Sequence, residues 1–391
     1  MRGPSSAKGI GAESSGDVFT GVGQPRQRVP ALVRRGETMA RIVFVLTYPA
    51  YHSVVDPAEW LRWDNRDRRM PALLAAMGVD VELWGVGTDA AEHVSAATFG
   101  APYRIRLFAR SGGGAASRDH YSDAMVAAAR ADPADLFVLI GTNGGAGYRL
   151  FDRALKPDRR RFALIIGGDW WSRLVPHAAL LFTECALQEQ ALAAGGWWRR
   201  AIPRDRMERL PKTIDTDLFR PLEAERRWDV LSVSRVTRWK SFAEVGALSR
   251  RHRVAVAGGG PQAARMARRY PAIAWLGHMP HVRIPELLAQ AGLYFHAGRR
   301  DYFPRAIPEA MACGRPVVGF ADRLGDDVIP PDCGLRVGER DFVPLVAALL
   351  RDPAGMAQMG AAARAHVVAT HGLRSSAAAC RTLLRVAEAG A

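Results

Sequence analysis

Apolar and polar positions along the chain alternate between two periods. Short apolar or β-branched runs read as strands: RIVFVL (41–46), VDVELW (79–84), YRIRLF (103–108), DLFVLI (135–140), RFALIIG (161–167) and AALLFT (178–182). Between them, 65–77 and 119–131 carry apolar residues at helical spacing. Strands alternating with helices predict a parallel sheet covered on both faces. The glycines of SGGGAAS (111–117) mark a loop and imply no ligand by themselves.

A second run of the same kind follows the proline-containing stretch LFRPLEAERR (218–227). It comprises WDVLSV (228–233), HRVAVAGGG (252–260), AIAWLG (272–277), GLYFHA (292–297) and RPVVGF (315–320), with helical patterns through 341–388. The expected class is α/β, with two Rossmann-like doubly wound domains facing across a cleft. In such sheets ligands bind beyond the carboxyl ends of the strands. The domain reading is a disordered tail or upstream start over 1–38, a first Rossmann-like domain over 39–218, a second over 219–370, and a helix over 371–391 crossing back to the first domain.

At 391 residues, 48% of them apolar, the chain exceeds what one core usually covers, which fits two domains. No apolar stretch approaches a membrane span, and the N-terminus lacks the compact apolar segment of a secretory signal, so a cytoplasmic protein is the expectation. Cys185, Cys313, Cys333 and Cys380 are scattered without CxxC pairing, which suggests packed thiols, not a disulfide framework or a zinc site. The net charge of +15 raises nucleic acid or an anionic membrane surface as partners. Composition weakens that reading. Lys8, Lys156, Lys212 and Lys240 are the only lysines, and every other one of the 54 basic residues is arginine. The bias is general, no basic stripe is interleaved with aromatics, and a solvated arginine-rich surface is the plainer account. Peripheral contact with the inner face of a membrane stays open as an alternative.

Two segments carry candidate chemistry. VSRVTRWK (233–240) puts Arg235 and Lys240 just past an apolar strand, where both reach one anionic group. DYFPRAIPEAMACGRPVV (301–318) puts Asp301 and Glu309 across the start of a helix. Pro304 and Pro308 are tolerated only in a first helical turn, so the helix begins near Arg305, and Gly314 with Pro316 stops it. Its amino end would aim N–H groups at a diphosphate, with Phe303, Pro304, Arg305 and Ala306 around it. A carboxylate accepts two hydrogen bonds from a vicinal diol, so one acid can hold a ribose and the other a sugar. By itself, a pair of acids at this spacing is more simply a helix cap and a surface acid.

From about Lys212 to about His366 the chain resembles the retaining glycosyltransferases of the GT-B fold, family 4 type (glycosyl transferases group 1). The resemblance lies in D301-YFPRAIP-E309 with AMACGRPVV after it, in Arg235 and Lys240, in TIDTDLFRP (213–221), in AGGGP (257–261) with Gly258 and Gly259, and in CGLRVGERD (333–341). Order and spacing together make it specific. It implies Glu309 on the nucleotide ribose, Asp301 on the donor sugar, and Arg235 with Lys240 on the diphosphate. It implies transfer from a nucleoside diphosphate sugar to a sugar, lipid-linked or small-molecule acceptor, with no metal and no further cofactor. No DxD-type acidic pair is placed to hold one.

The sequence also departs from the family. Asp301 stands where Glu is usual, and Pro304 replaces a common Gly and has no N–H to donate. The first strand is followed by TYPAYHSVVDP (47–57) instead of a Gly-rich loop, and DLFVLIGTNGG (135–145) lacks a histidine that many relatives carry. Asn143, Gly144, Gly145 and Asp169 are then the candidates for contacting sugar or acceptor. His52 is a weaker one, more simply packed or exposed; Trp170 and Trp171 fit stacking on a sugar ring and helix-start packing equally, and Trp239, next to Lys240, reads as a lid over the linker. Two other readings remain at this level: a nucleotide-sugar epimerase of the same fold, and a non-catalytic subunit that binds the donor.

Overall fold

The computed structural model describes residues 40–389 apart from 51–60, 62–65, 96–98, 115, 168–170, 198 and 299–300. The 1–38 tail, His52, Asp169 and Trp170 lie outside the described residues.

Two sheets are formed. The first contains β1 (Arg41–Leu46), β2 (Asp80–Gly87), β3 (Ala91–Val94), β4 (Arg104–Ala109), β5 (Leu136–Ile140), β6 (Phe162–Ile165), β7 (Leu180–Thr183) and β8 (Met207–Arg209), in the order β3-β4-β2-β1-β5-β6-β7-β8. Every pairing in it is parallel except β3 with β4. The second contains β9 (Trp228–Val233), β10 (Val254–Ala257), β11 (Ala274–Gly277), β12 (Ala291–Phe295), β13 (Val317–Phe320) and β14 (Gly334–Val337), ordered β11-β10-β9-β12-β13-β14 and parallel throughout.

The unbroken apolar runs follow from burial on both faces of each sheet. On β1, Ile42, Phe44 and Leu46 enter one core while Val43 and Val45 enter the other. β5 splits the same way, Leu136, Val138 and Ile140 against Phe137 and Leu139. In the second sheet Leu231 and Tyr294 face one core, and Val230, Leu293 and Phe295 the other. β3, β8 and β14 go beyond the strands expected from sequence: none of the three is buried along its whole length, so none writes an unbroken apolar run.

The chain passes between the sheets twice. The first passage is the segment between β8 and β9. Arg364 clamps it, donating from Nη1 to the Phe219 carbonyl at 2.6 Å and from Nη2 to the Thr216 carbonyl at 3.0 Å. The second follows the helix Pro353–Thr370, after which the helix Ser376–Glu388 inserts Ala379, Cys380, Leu383 and Ala387 into the core that holds Ile42, Phe44 and Met70. At the joint, the His371 carbonyl accepts from the Ile214 N–H at 2.8 Å, so the two passages are tied together. A further tie comes from Asp327, whose Oδ2 accepts from the Ala186 N–H at 2.6 Å and from Arg209 at 2.5 Å.

All four cysteines are free and buried, and burial pushes the Cys313, Cys333 and Cys380 thiols up to about 12. Among the described residues no helix is long and apolar enough to cross a membrane.

His371 is 8% exposed, and burial, reinforced by His366, Lys212 and Arg209, lowers its imidazole to about 3. The unfolded chain therefore binds a proton that the native state refuses between an ordinary histidine value near 6.5 and about 3. Stability is expected to fall as pH drops through that window. In melting temperatures measured from pH 7.5 to 5, His371→Leu should lose less stability over the same range than the parent protein; an equal loss would show that this imidazole is not the group responsible.

Candidate functional site

The order of the second sheet reverses between β9 and β12, and two loops leave the carboxyl ends of those neighbouring strands. That is where a doubly wound sheet opens a crevice. A cavity of about 580 Å³ lies there, with Ser234, Arg235 and Lys240 on one side and Asp301, Pro304 and Arg305 on the other.

The loop bearing Arg235 and Lys240 is held by backbone. Ser234 N–H donates to the Ala257 carbonyl at 3.0 Å and Val236 N–H to the Gly259 carbonyl at 2.8 Å. This approach is why glycines follow β10. Gly258 has φ +149°, and a Cβ on it would stand 1.9 Å from the Ser234 carbonyl oxygen. Gly260 has the same φ, and its Cβ would lie 2.6 Å from the Val236 oxygen. Gly258 and Gly259 are thus not among the cavity-lining residues; they support the Arg235 loop from behind. Further on, Lys240 pairs with Gly298 in an isolated antiparallel bridge, and Ser241 N–H donates to the Ala297 carbonyl at 2.9 Å. The two loops are stitched across the cavity floor.

On the facing side the helix Ala306–Ala312 starts after Arg305 and stops at Gly314, which adopts φ +69°. This matches the start and stop read from its prolines and glycine. Pro304 and Pro308 bring no N–H, and Ile307 donates its own to the Pro304 carbonyl at 3.1 Å. The first turn therefore aims fewer donors at the cavity than an ordinary helix start, and the Arg305 side chain supplies cationic charge on that rim. Phe303 does not line the cavity; it is 5% exposed, in the core that also holds Ile307 and Met311, with its ring centre 5.2 Å from that of His371.

Asp301 is the hub. Its Oδ2 forms an ion pair with Lys240 Nζ and lies 3.0 Å from His296 Nε2. His296 is 2% exposed at the end of β12, and its Nδ1 lies 3.2 Å from the Tyr294 hydroxyl. Burial depresses the His296 imidazole, so it is neutral, with Nε2–H donating to Asp301 and Nδ1 accepting from Tyr294. Burial by itself would raise the Asp301 carboxyl. The hydrogen bond from His296 and the Lys240 ammonium outweigh it and hold the group well below the usual carboxylate range. Gly298 makes room: a Cβ there would sit 2.1 Å from Asp301 Oδ2 and 2.4 Å from His296 Nε2.

Glu309 lies in the first turn of its helix, 4% exposed, with Oε1 2.8 Å from His281 Nε2. It is not a lining residue of the cavity. Trp239 is 46% exposed on the cavity edge, with the Arg238 guanidinium 3.9 Å from its ring centre.

Of the four residues singled out for chemistry, Arg235, Lys240 and Asp301 share the cavity, and Glu309 stands behind it. The sequence reading passed over His296 and His281. His296 had a signal, a titratable residue closing the apolar strand GLYFHA just before Asp301. His281 had none, since its partner lies 28 residues on. In the first sheet Gly144 and Gly145 are packing glycines: Cβ atoms on them would lie 1.8 Å from the Thr47 carbonyl oxygen and 2.2 Å from that of Arg118. Asn143 is exposed past the end of β5, and Trp171 packs beneath Arg199, 5.2 Å from its ring centre. Among the described residues no group of three or more His, Cys, Asp or Glu is arranged to hold a metal.

Residues 230–352 match the profile of a protein family described as glycosyl transferases group 1. Among solved structures, the chain is similar to sucrose-phosphate synthase from Thermosynechococcus elongatus, with a TM-score of 0.67 and 17% identity over 90% of this chain and 100% of that one. A glycosyltransferase from Rickettsia africae gives 0.65 and 14% over 90% and 99%. Anabaena HepE in complex with UDP-glucose gives 0.63 and 15% over 88% and 99%. No curated protein sequence matches the chain. The likeness establishes the fold: α/β, two sheets of mainly parallel strands in the GT-B arrangement.

Gly258→Ala tests the support of the Arg235 loop. The new methyl collides with backbone that cannot yield, so the variant should lose affinity for inorganic pyrophosphate at least as strongly as Arg235→Ala and should melt lower. Unchanged calorimetric affinity would show that the glycine loop does not position Arg235.

Proposed function

We propose that this protein is a glycosyltransferase of the retaining, family 4 type, moving a sugar from a nucleoside diphosphate donor to an acceptor held by the first sheet. One observation carries the reading. A cavity at the strand-order reversal of the second sheet gathers Arg235, Lys240 and Arg305 with a single carboxylate, Asp301, inside the segment that matches the glycosyl transferase profile.

The chemistry asks for that charge. As the bond between the sugar and the diphosphate breaks, negative charge collects on the leaving phosphate, and cations already in place stabilise it without reorganising. Arg235, Lys240 and Arg305 take this role, and the reaction needs no metal or further cofactor. Lys240 is paired with Asp301 before donor binds, so the diphosphate exchanges one anionic partner for another and releases Asp301 to a donor hydroxyl. Glu309 with His281 forms the ribose-holding pair, His281 being the more exposed half. Retention follows from attack on the face the diphosphate leaves, with the phosphate accepting the acceptor's proton.

Because HepE is described bound to UDP-glucose, uridine diphosphate sugars are the first donors to test. A thermal-shift screen of UDP-, GDP- and ADP-sugars should find one that raises the melting temperature, since a ligand bound only by the native state stabilises it. With that donor, Lys240→Ala should slow turnover by about a hundredfold while leaving the protein folded. Glu309→Ala should abolish transfer likewise, and EDTA should leave the parent rate unchanged. Full activity in either variant would refute the assignment. Tight donor binding with no transfer or hydrolysis across an acceptor panel would mark a binding subunit instead. Proton NMR of the product's anomeric position tests retention directly.

A further inference from the structure

Beyond the cations and acids, the second sheet holds a buried imidazole on a cavity-facing carboxylate. We propose that His296 is a positioning residue, whose Nε2–H keeps Asp301 aimed into the cavity when the incoming diphosphate draws Lys240 away. The inference rests on the glycosyltransferase reading and assigns a role within that site.

Asp301 Oδ2 has two partners of different mobility. Lys240 ends a flexible chain on a loop and is a cation that any phosphate will attract. His296 is fixed: it is 2% exposed, closes β12, and is tied through Nδ1 to the Tyr294 hydroxyl, which is itself buried. Burial puts the Tyr294 hydroxyl well above its ordinary value, with the nearby Glu309 and Asp301 charges adding to the effect, so it remains a proton donor. Ionised Asp301 can only accept, so the imidazole proton lies on Nε2, 3.0 Å away, and Nδ1 is left as an acceptor for the Tyr294 hydroxyl, which also reaches the Val233 carbonyl at 3.4 Å. Gly298 keeps the space between the three groups open, since a Cβ there would overlap Asp301 and His296. With Lys240 on the diphosphate, Asp301 would turn freely about its side-chain bonds if nothing else held it. The imidazole N–H is the donor that stays.

The pH dependence follows from the same contacts. The groups that act on Asp301 are His296 and Lys240, and Arg235 and Arg305 line the same cavity. Hydrogen bonding to the ionised form lowers a carboxyl pKa. Removing the His296 donor therefore raises that of Asp301 and moves the acid limb of the rate profile to higher pH. In free enzyme Lys240 still compensates; with donor bound it is engaged elsewhere. The limb of kcat, which reports the donor complex, should move further than that of kcat/KM, which reports free enzyme.

His296→Leu and His296→Gln separate this role from packing. Leucine fills the space without a donor, while glutamine can present an amide N–H near the position of Nε2. Nucleotide release from the donor found in the screen gives the rate, and calorimetry with inorganic pyrophosphate gives anion affinity. His296→Leu should lower kcat on the order of tenfold, as loss of a hydrogen bond to a charged group does. It should also shift the acid limb of kcat upward and leave pyrophosphate affinity within about threefold of the parent. His296→Gln should restore most of kcat and the original limb. Equal losses in both variants with the acid limb unmoved, or no loss in His296→Leu, would overturn the positioning role. A parent protein that binds pyrophosphate yet turns over no donor removes this proposal together with transfer, and leaves the anion site standing.

Discussion

One carboxylate oxygen, Asp301 Oδ2, meets both Lys240 and His296 and so joins the two loops that make the cavity. The loops leave neighbouring strands, and each carries charge that would repel its own kind if brought together without a counter-ion. Lys240, Arg235 and Arg305 converge on one hollow, with Asp301 among them. That anion is 34% exposed, while the imidazole bonded to it, also in the cavity wall, is 2% exposed.

How much of this could be read from residues alone depended on range. The two doubly wound sheets were legible, because a strand buried on both faces writes an unbroken apolar run, as in β1, β5 and β12. The start and stop of the Ala306–Ala312 helix were legible too, since proline and glycine act on their own backbone. Short-range chemistry came through. The sequence did not show that Gly258 faces the back of the Arg235 loop, or that Phe303 turns inward, because both depend on which backbone passes nearby in three dimensions. His281 beside Glu309 is the same kind of contact. His296 was visible in the strand GLYFHA but unweighted, because one polar residue ending a strand carries no meaning until its neighbour is known.

The two halves of the molecule differ in how their loops use glycine. In the second sheet, Gly258, Gly260 and Gly298 clear space for backbone and charged side chains around a hollow. In the first, Gly144 and Gly145 let the loop after β5 press against the backbone of Thr47, just past β1, and of Arg118. There the close approach serves packing, and Asn143 is exposed just past β5. The family profile covers residues 230–352, in the second sheet and its helices, so the resemblance says more about that half of the molecule than about the first.

The double passage of the chain constrains how the lobes can move. A body joined to another by a single thread can swivel in any direction; one joined at two tied points is confined to folding about the line through them. Here the ties at Ile214 with His371 and at Thr216 and Phe219 with Arg364 fix such a line. The contact of Asp327 with the Ala186 N–H and with Arg209 is a third tie between the same two halves. A protease cutting the exposed 220–227 stretch would leave the halves still clasped by the returning C-terminal helix.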